Sequence, residues 1–126
     1  MSVSLTLERS VATLSGFAPA REDDAERYVA ALHAVTALEE GFALLVEFAV
    51  PILLSPEQKK AQNLWYKSSR ERLNRACVAC AIVRPTADEE MQRTFQGLFA
   101  FPLLATRDRA EAQAFLAQHL AGRVPA

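Results

Sequence analysis

Between Gly41 and Arg75 the chain reads GFALLVEFAVPILLSPEQKKAQNLWYKSSRERLNR, an apolar run that stops at Ser55-Pro56 and gives way to a basic, helix-patterned segment. A strand covered by helices on both faces reads as a near-continuous hydrophobic run, not as strict alternation. The stretch Phe42 to Phe48 has that character. Ser55 is an N-cap residue type, Pro56 suits the first helical position, and Gln58 stands where a capping-box partner reaches back. A second run without alternation, Val78 to Val83, follows and is closed by Pro85. The pattern predicts two neighbouring parallel strands in the middle of one sheet, joined by a crossover helix that ends near Arg75.

The flanking segments fit the same scheme. Val3, Leu5 and Leu7 alternate with Ser4, Thr6 and Glu8, and a second short run from Val11 to Leu14 completes an opening hairpin. A loop with Gly16 and Pro19 leads to Ala25, Tyr28, Val29, Leu32, Val35 and Leu38 at helical spacing. With Glu22, Asp23 and Asp24 in its first turn, a helix is expected over roughly Glu22 to Leu38. Ala61, Leu64, Trp65, Ser68, Leu73 and Ala76 are assigned to the inward stripe of the second helix. Thr86 or Asp88 opens a third helix with Met91, Phe95 and Leu98 on one side. Phe101 to Thr106 reads as a last strand, with Pro102 implying an edge or a bulge. Asp108 and Glu111 cap a fourth helix that buries Ala112, Phe115, Leu116 and Leu120 and ends at Gly122, before a loose tail at 123–126. The expected fold class is α/β, a mixed, mostly parallel sheet flanked by helices in the order β-β-α-β-α-β-α-β-α.

A chain of 126 residues suits one domain, residues 1–126, with one core. A formal net charge of −1 offers no global attraction to nucleic acid or to anionic membrane. The amino terminus lacks the pattern of a secretory signal, and the run from Phe42 to Leu54, broken by Glu47 and Pro51, is short for a membrane span. The expectation is a cytoplasmic protein without membrane insertion. No P-loop, dinucleotide fingerprint or nucleophile elbow is present, and Val50-Pro51 stands where a response regulator needs its phosphoacceptor Asp.

The residues that could carry chemistry are few. Cys77-Val78-Ala79-Cys80 matches C-x-x-C in letters only. A redox pair needs a thiol at a helix amino end, whereas these enter a strand, where residues three apart are expected on opposite faces. His33 and His119 stand singly on helices, so neither a metal nor a cofactor site is expected. Glu47, a carboxylate inside a buried strand, is expected to pair with an arginine such as Arg84 or to lie where the strand emerges. Trp65 is read as core or dimer contact. Tyr66 with Phe42, Phe99 and Phe101 would border a cavity if the protein took a lipid or small apolar ligand.

The hairpin, the passage LLVEFAVPILLSPEQ, the strand ACVACAIV and the closing D-x-x-E helix together resemble the STAS domain of bacterial anti-sigma-factor antagonists, in its divergent stand-alone form. The resemblance covers nearly the whole chain. In that family the loop ends Asp-Ser-Ser-Gly and the first serine is phosphorylated; here Ser55 aligns with the Asp, Pro56 with the phosphorylated serine, Glu57 with the second serine and Gln58 with the glycine. Proline has no hydroxyl, so the resemblance implies a module without the phosphorylation switch. Ser55 is read as an N-cap, with a displaced phosphosite beside Lys59 as the sharper alternative.

STAS domains meet partners through the start of this helix, so the resemblance implies a non-enzymatic, regulatory protein-interaction module. Ser55, Glu57, Lys59, Asn63, Lys67 and Arg70 are the candidate contacts for a partner with an acidic surface. Asn63, Lys67, Arg70 and Asn74 recur on one helix face, and the competing reading is a solvated basic face. A homodimer through LFAFPLLA and a small apolar ligand or lipid carrier, the latter through the likeness of STAS to CRAL-TRIO domains, are the alternatives. Nucleic-acid binding is not expected.

Overall fold

The computed structural model describes residues 2–17, 23–49 and 54–121. The elements run β1 (Ser2–Glu8), β2 (Val11–Phe17), α1 (Asp24–Thr36), β3 (Phe42–Phe48), α2 (Pro56–Ala76), β4 (Cys77–Val83), α3 (Glu89–Gln96), β5 (Leu103–Thr106) and α4 (Arg109–Ala121). The order and the mixed α/β class are those expected. The proposed helix start at Glu22, the loop at Pro19, the break at Pro51, the stop at Gly122 and the tail at 123–126 lie outside the described residues.

One sheet holds all five strands in the order β1-β2-β3-β4-β5. β1 and β2 are antiparallel, and every later pairing is parallel. Arg9 and Ser10 close the hairpin with φ of 50° and 68°, the positive values of a two-residue primed turn that follows the twist of the strands. Because each crossover moves one strand further in the same direction, right-handedness places α1, α2 and α3 on one face. Val35, Leu73, Ala76 and Phe95 from these helices pack there against Phe42, Cys80 and Ile82. On the other face α4 alone lays Ala112 and Leu116 over Ala43, Leu45, Val78, Ala79, Ala81 and Val83. All seven residues of β4 are buried, which is why that strand shows no alternation.

Several boundaries differ from expectation for tertiary reasons. β2 continues through Gly16, beyond the expected end at Leu14, because Ser15 and Gly16 find parallel partners in Glu47 and Phe48. β5 begins at Leu103, not Phe101. Pro102 leads into this edge strand, and its carbonyl accepts the Cys80 N–H at 3.0 Å. α3 stops at Gln96, so Leu98 lies beyond the helix to which it was assigned and is exposed.

The free edge of β5 is closed by side chains. Gln92 donates to the Leu103 carbonyl at 2.6 Å and accepts from Ala105 N–H at 2.7 Å. One turn later Gln96 donates to the Phe101 carbonyl and accepts from Leu103 N–H, both at 2.9 Å. Two amides at i, i+4 thus take the place of a sixth strand and blunt an edge that would otherwise invite pairing.

Candidate docking surface on the second helix

α2 is fixed at both ends by local chemistry. Ser55 Oγ accepts the Gln58 N–H at 3.1 Å while Gln58 Oε1 accepts the Ser55 N–H at 2.9 Å, the reciprocal capping box, with Pro56 at the first turn. At the far end the helix passes straight into β4, and Gly41, at φ +94°, donates its N–H to the Ala76 carbonyl at 2.8 Å. The Gly41 conformation is one that side-chain-bearing residues rarely adopt.

The inner face differs in part from the expected stripe. Leu73 and Ala76 are buried and Trp65 and Ala61 half-buried, but Leu64 is 57% exposed and Ser68 is also exposed. α2 lies in a trough between α1 and the α3–β5 loop, so its flanks are covered by polar groups where Leu64 and Ser68 are not. On one flank Arg72 donates from Nε to the Thr36 carbonyl at 2.5 Å and from Nη2 to the Leu38 carbonyl at 2.6 Å, a cation on the carboxyl end of α1. On the other, Tyr66 Oη donates to the Leu98 carbonyl at 2.6 Å, and Asn74 Oδ1 accepts the Ala100 N–H at 2.9 Å.

What remains outside is basic. Glu57, Lys59, Asn63, Lys67 and Arg70 are all exposed, and so is the capping Ser55. Asn63, Lys67 and Arg70 share one outer strip, and the Arg70 guanidinium stands 6.0 Å from the centre of the Tyr66 ring. Of the residues read as one face, Asn74 turns away to hold the loop before β5. Arg72, counted in the basic total, is spent on α1. The candidate contacts therefore form a narrower surface than the charge count implied.

The other candidates are accounted for by packing. Tyr66 meets Phe99 edge-on at 5.5 Å, Phe99 stacks on Phe101 at 4.8 Å, and Phe42 and Phe101 are buried. Tyr66, Phe99 and Phe101 fill one another's space, whereas Phe42 helps to line an open pocket with Leu7, Leu38 and Gly41. Glu47 pairs with Arg109 at 2.8 Å, at the start of α4, and not with Arg84. The strand alternates, and Glu47 falls on the same face as Ala43 and Leu45, which is the α4 side.

The cysteine geometry corrects the expectation. A bulge in β4 sets Phe42 opposite Cys77 and Leu44 opposite Cys80, three residues of β4 spanning two of β3. Both thiols consequently join the same core cluster. Burial pushes the Cys77 thiol up to about 12 and raises Cys80 as well, where Cys77 adds to the effect. A thiol held neutral in this way is a poor nucleophile, and both are free and buried. Among the described residues no group of three or more His, Cys, Asp or Glu side chains could hold a metal ion. None of the described helices is long and apolar enough to cross a membrane.

No protein-family model matches the chain, and no curated protein matches it. Among solved structures it is similar to an uncharacterized protein of the DUF3478 family with a SpoIIAA-like fold from Shewanella loihica PV-4. The two share 12% identity, with a TM-score of 0.63 over 91% of this chain and 92% of that one. The fold is that of STAS domains. At this identity the likeness carries architecture, so function has to be argued from the site. Within this fold the crossover into α2 starts at Ser55, whose Oγ accepts the Gln58 N–H, and at Pro56, which has no hydroxyl.

Proposed function

We propose that the chain is a non-catalytic interaction module of STAS type that works without a phosphorylation switch and docks an acidic protein surface on the outer strip of α2. The observation that carries this reading is the division of labour on that helix. Its inner and flanking polar groups are committed to α1 and to the loop before β5, whereas Lys59, Asn63, Lys67 and Arg70 are exposed together. Rim charges of this kind steer association and select partners by complementarity. Pro56, at the position of the phosphorylated serine, supports constitutive docking.

Reversing charge with Lys67→Glu and Arg70→Glu should leave thermal stability within about 0.5 kcal/mol, as expected for exposed positions. The same change should abolish capture of a specific acidic partner by tagged protein. Equal capture by the native and reversed proteins would remove this face from the function.

A further inference from the structure

The two edges of the sheet are treated differently. β5 is closed by Gln92 and Gln96, whereas β1, at the other end of the strand order, has a strand on one side only. The direction of its backbone groups follows from β2. Ala43 N–H donates to the Ser10 carbonyl and Ala49 N–H to the Gly16 carbonyl, so the even-numbered residues of this strand turn their backbone to β3 and the odd-numbered ones turn theirs to β1. The register sets Val11, Thr13 and Ser15 against Glu8, Thr6 and Ser4. Those are therefore the hydrogen-bonded pairs of the hairpin, and Val3, Leu5 and Leu7 point their N–H and C=O groups out along the free edge. Among the described residues nothing blunts that edge: Ser2–Glu8 holds neither proline nor lysine, and its register with β2 is unbroken.

We propose that β1 pairs antiparallel with β1 of a second copy of the chain, about a two-fold axis at Leu5, joining the two sheets into one. The strand's own pattern names the occupant. Turned end for end about Leu5, SVSLTLE sets Val3 against Leu7, Ser4 against Thr6 and Glu8 against Ser2. Apolar residues then meet apolar ones, hydroxyls meet hydroxyls, and the one charge meets no like charge. The backbone agrees with the side chains. Leu5 facing Leu5 and Val3 facing Leu7 bring together the residues whose groups point outward, so each of these pairs exchanges two hydrogen bonds. Leu7 is 58% exposed in the single chain, and the pairing lays Val3 of the second copy beside it. A sheet open at one edge and closed at the other spends its open edge on the first pairing, so the assembly stops at two copies and does not extend into a fibre. The pairing does not rest on the docking reading, because no residue of the outer strip of α2 belongs to β1.

Sedimentation equilibrium of the full chain should show a reversible association that stops at twice the chain mass. Leu7→Lys, a charge at an exposed edge position, should weaken that association at least ten-fold with an unchanged far-ultraviolet spectrum. Cross-linking reads the register separately. Ser4 and Thr6 of opposing strands form a non-hydrogen-bonded pair with Cα atoms about 4.5 Å apart, within disulfide reach. Ser4→Cys combined with Thr6→Cys should give a covalent dimer on mild oxidation, and either substitution alone should not, since each new thiol then faces a hydroxyl. Cys77 and Cys80 are buried and do not compete. A native protein that is monomeric at every concentration, a dimer unmoved by Leu7→Lys, or a double variant that does not cross-link would overturn the pairing.

Discussion

The two faces of the sheet are built by different rules. Against α4 the buried set is Ala43, Leu45, Val78, Ala79, Ala81, Val83, Ala112 and Leu116, half of it alanine, which lets a single helix sit close to the strands. Against α1, α2 and α3 the side chains are larger, with Phe42, Leu73, Phe101, Trp65, Phe95 and Phe99, and polar groups thread between them. Arg72, Tyr66, Gln92 and Gln96 all spend their hydrogen bonds on this side or at its margin. The single-helix face is a packing solution closed by the Glu47–Arg109 pair at its end. The three-helix face leaves the basic outer strip of α2 exposed. Function is therefore expected to be sensitive on one face and stability on both, through different contacts.

The contrast is most sharply tested by removing the more deeply buried of the two leucines in the α4 face's buried set. Leu116 is 2% exposed, and Leu116→Ala should cost about 2–5 kcal/mol in urea unfolding, because the small residues around it cannot collapse into the space. Leu64→Ala, on the exposed side of α2, should cost less than about 0.5 kcal/mol. Similar costs for the two would break the distinction between a packed face and a presented one.

At the margin of the three-helix face, Gln92→Leu with Gln96→Leu keeps the side-chain bulk but strips three hydrogen bonds from β5 and those to the Phe101 and Phe99 carbonyls before it. The expected loss is roughly 2–4 kcal/mol, given what unpaired backbone groups cost, together with concentration-dependent association through the opened edge seen in sedimentation velocity. A variant of native stability that associates no further than the native protein would show that the amides decorate the edge without closing it.

The smallest effect concerns the thiols. Cys77 is held neutral up to about 12 in the folded state against an ordinary value of 9.0, so above pH 9 the unfolded chain loses its proton first. The native state then binds more protons than the unfolded one, and stability must fall as pH rises from 9 towards 12. By pH 10 the loss from this thiol is roughly 1 kcal/mol. Tyr28, raised by burial, acts in the same direction above pH 10. Denaturant midpoints measured from pH 7 to pH 10.5 should therefore decline beyond pH 9, and replacing Cys77 with Ala should lessen that decline without abolishing it, because Cys80 and Tyr28 are raised as well. Rapid labelling of native thiols by a disulfide reagent at pH 8 would contradict the burial of both.

Features set by a few adjacent residues were readable directly. The bounds of β3 are those of its apolar run, and the start of α2 follows from Ser55, Pro56 and Gln58, whose contacts are all within three residues of one another. Features set by register were not. The extra residues of β2 owe their strand to β3, and the common face of Cys77 and Cys80 comes from a bulge that exists only relative to Phe42 and Leu44. The partner of Glu47 lies 62 residues away. On α2 the misassignment of Leu64 and Ser68 has the same origin. Periodicity locates an inward stripe, but neighbours on both flanks decide how wide it is, and here Arg72 and Tyr66 widen it with polar contacts. The outer positions Asn63, Lys67 and Arg70 were legible because a helical spacing fixes relative direction whatever lies beside it.

The presentation of α2 can be measured by placing a photocrosslinking amino acid at Asn63 on α2 and, separately, at Gln113 on the exposed side of α4, and irradiating each protein in the source cell. The account predicts one discrete adduct with an acidic protein from position 63, lost when Lys67 and Arg70 are reversed to Glu, and no such adduct from position 113. Adducts of equal yield from both positions, or an Asn63 adduct indifferent to charge reversal, would contradict it.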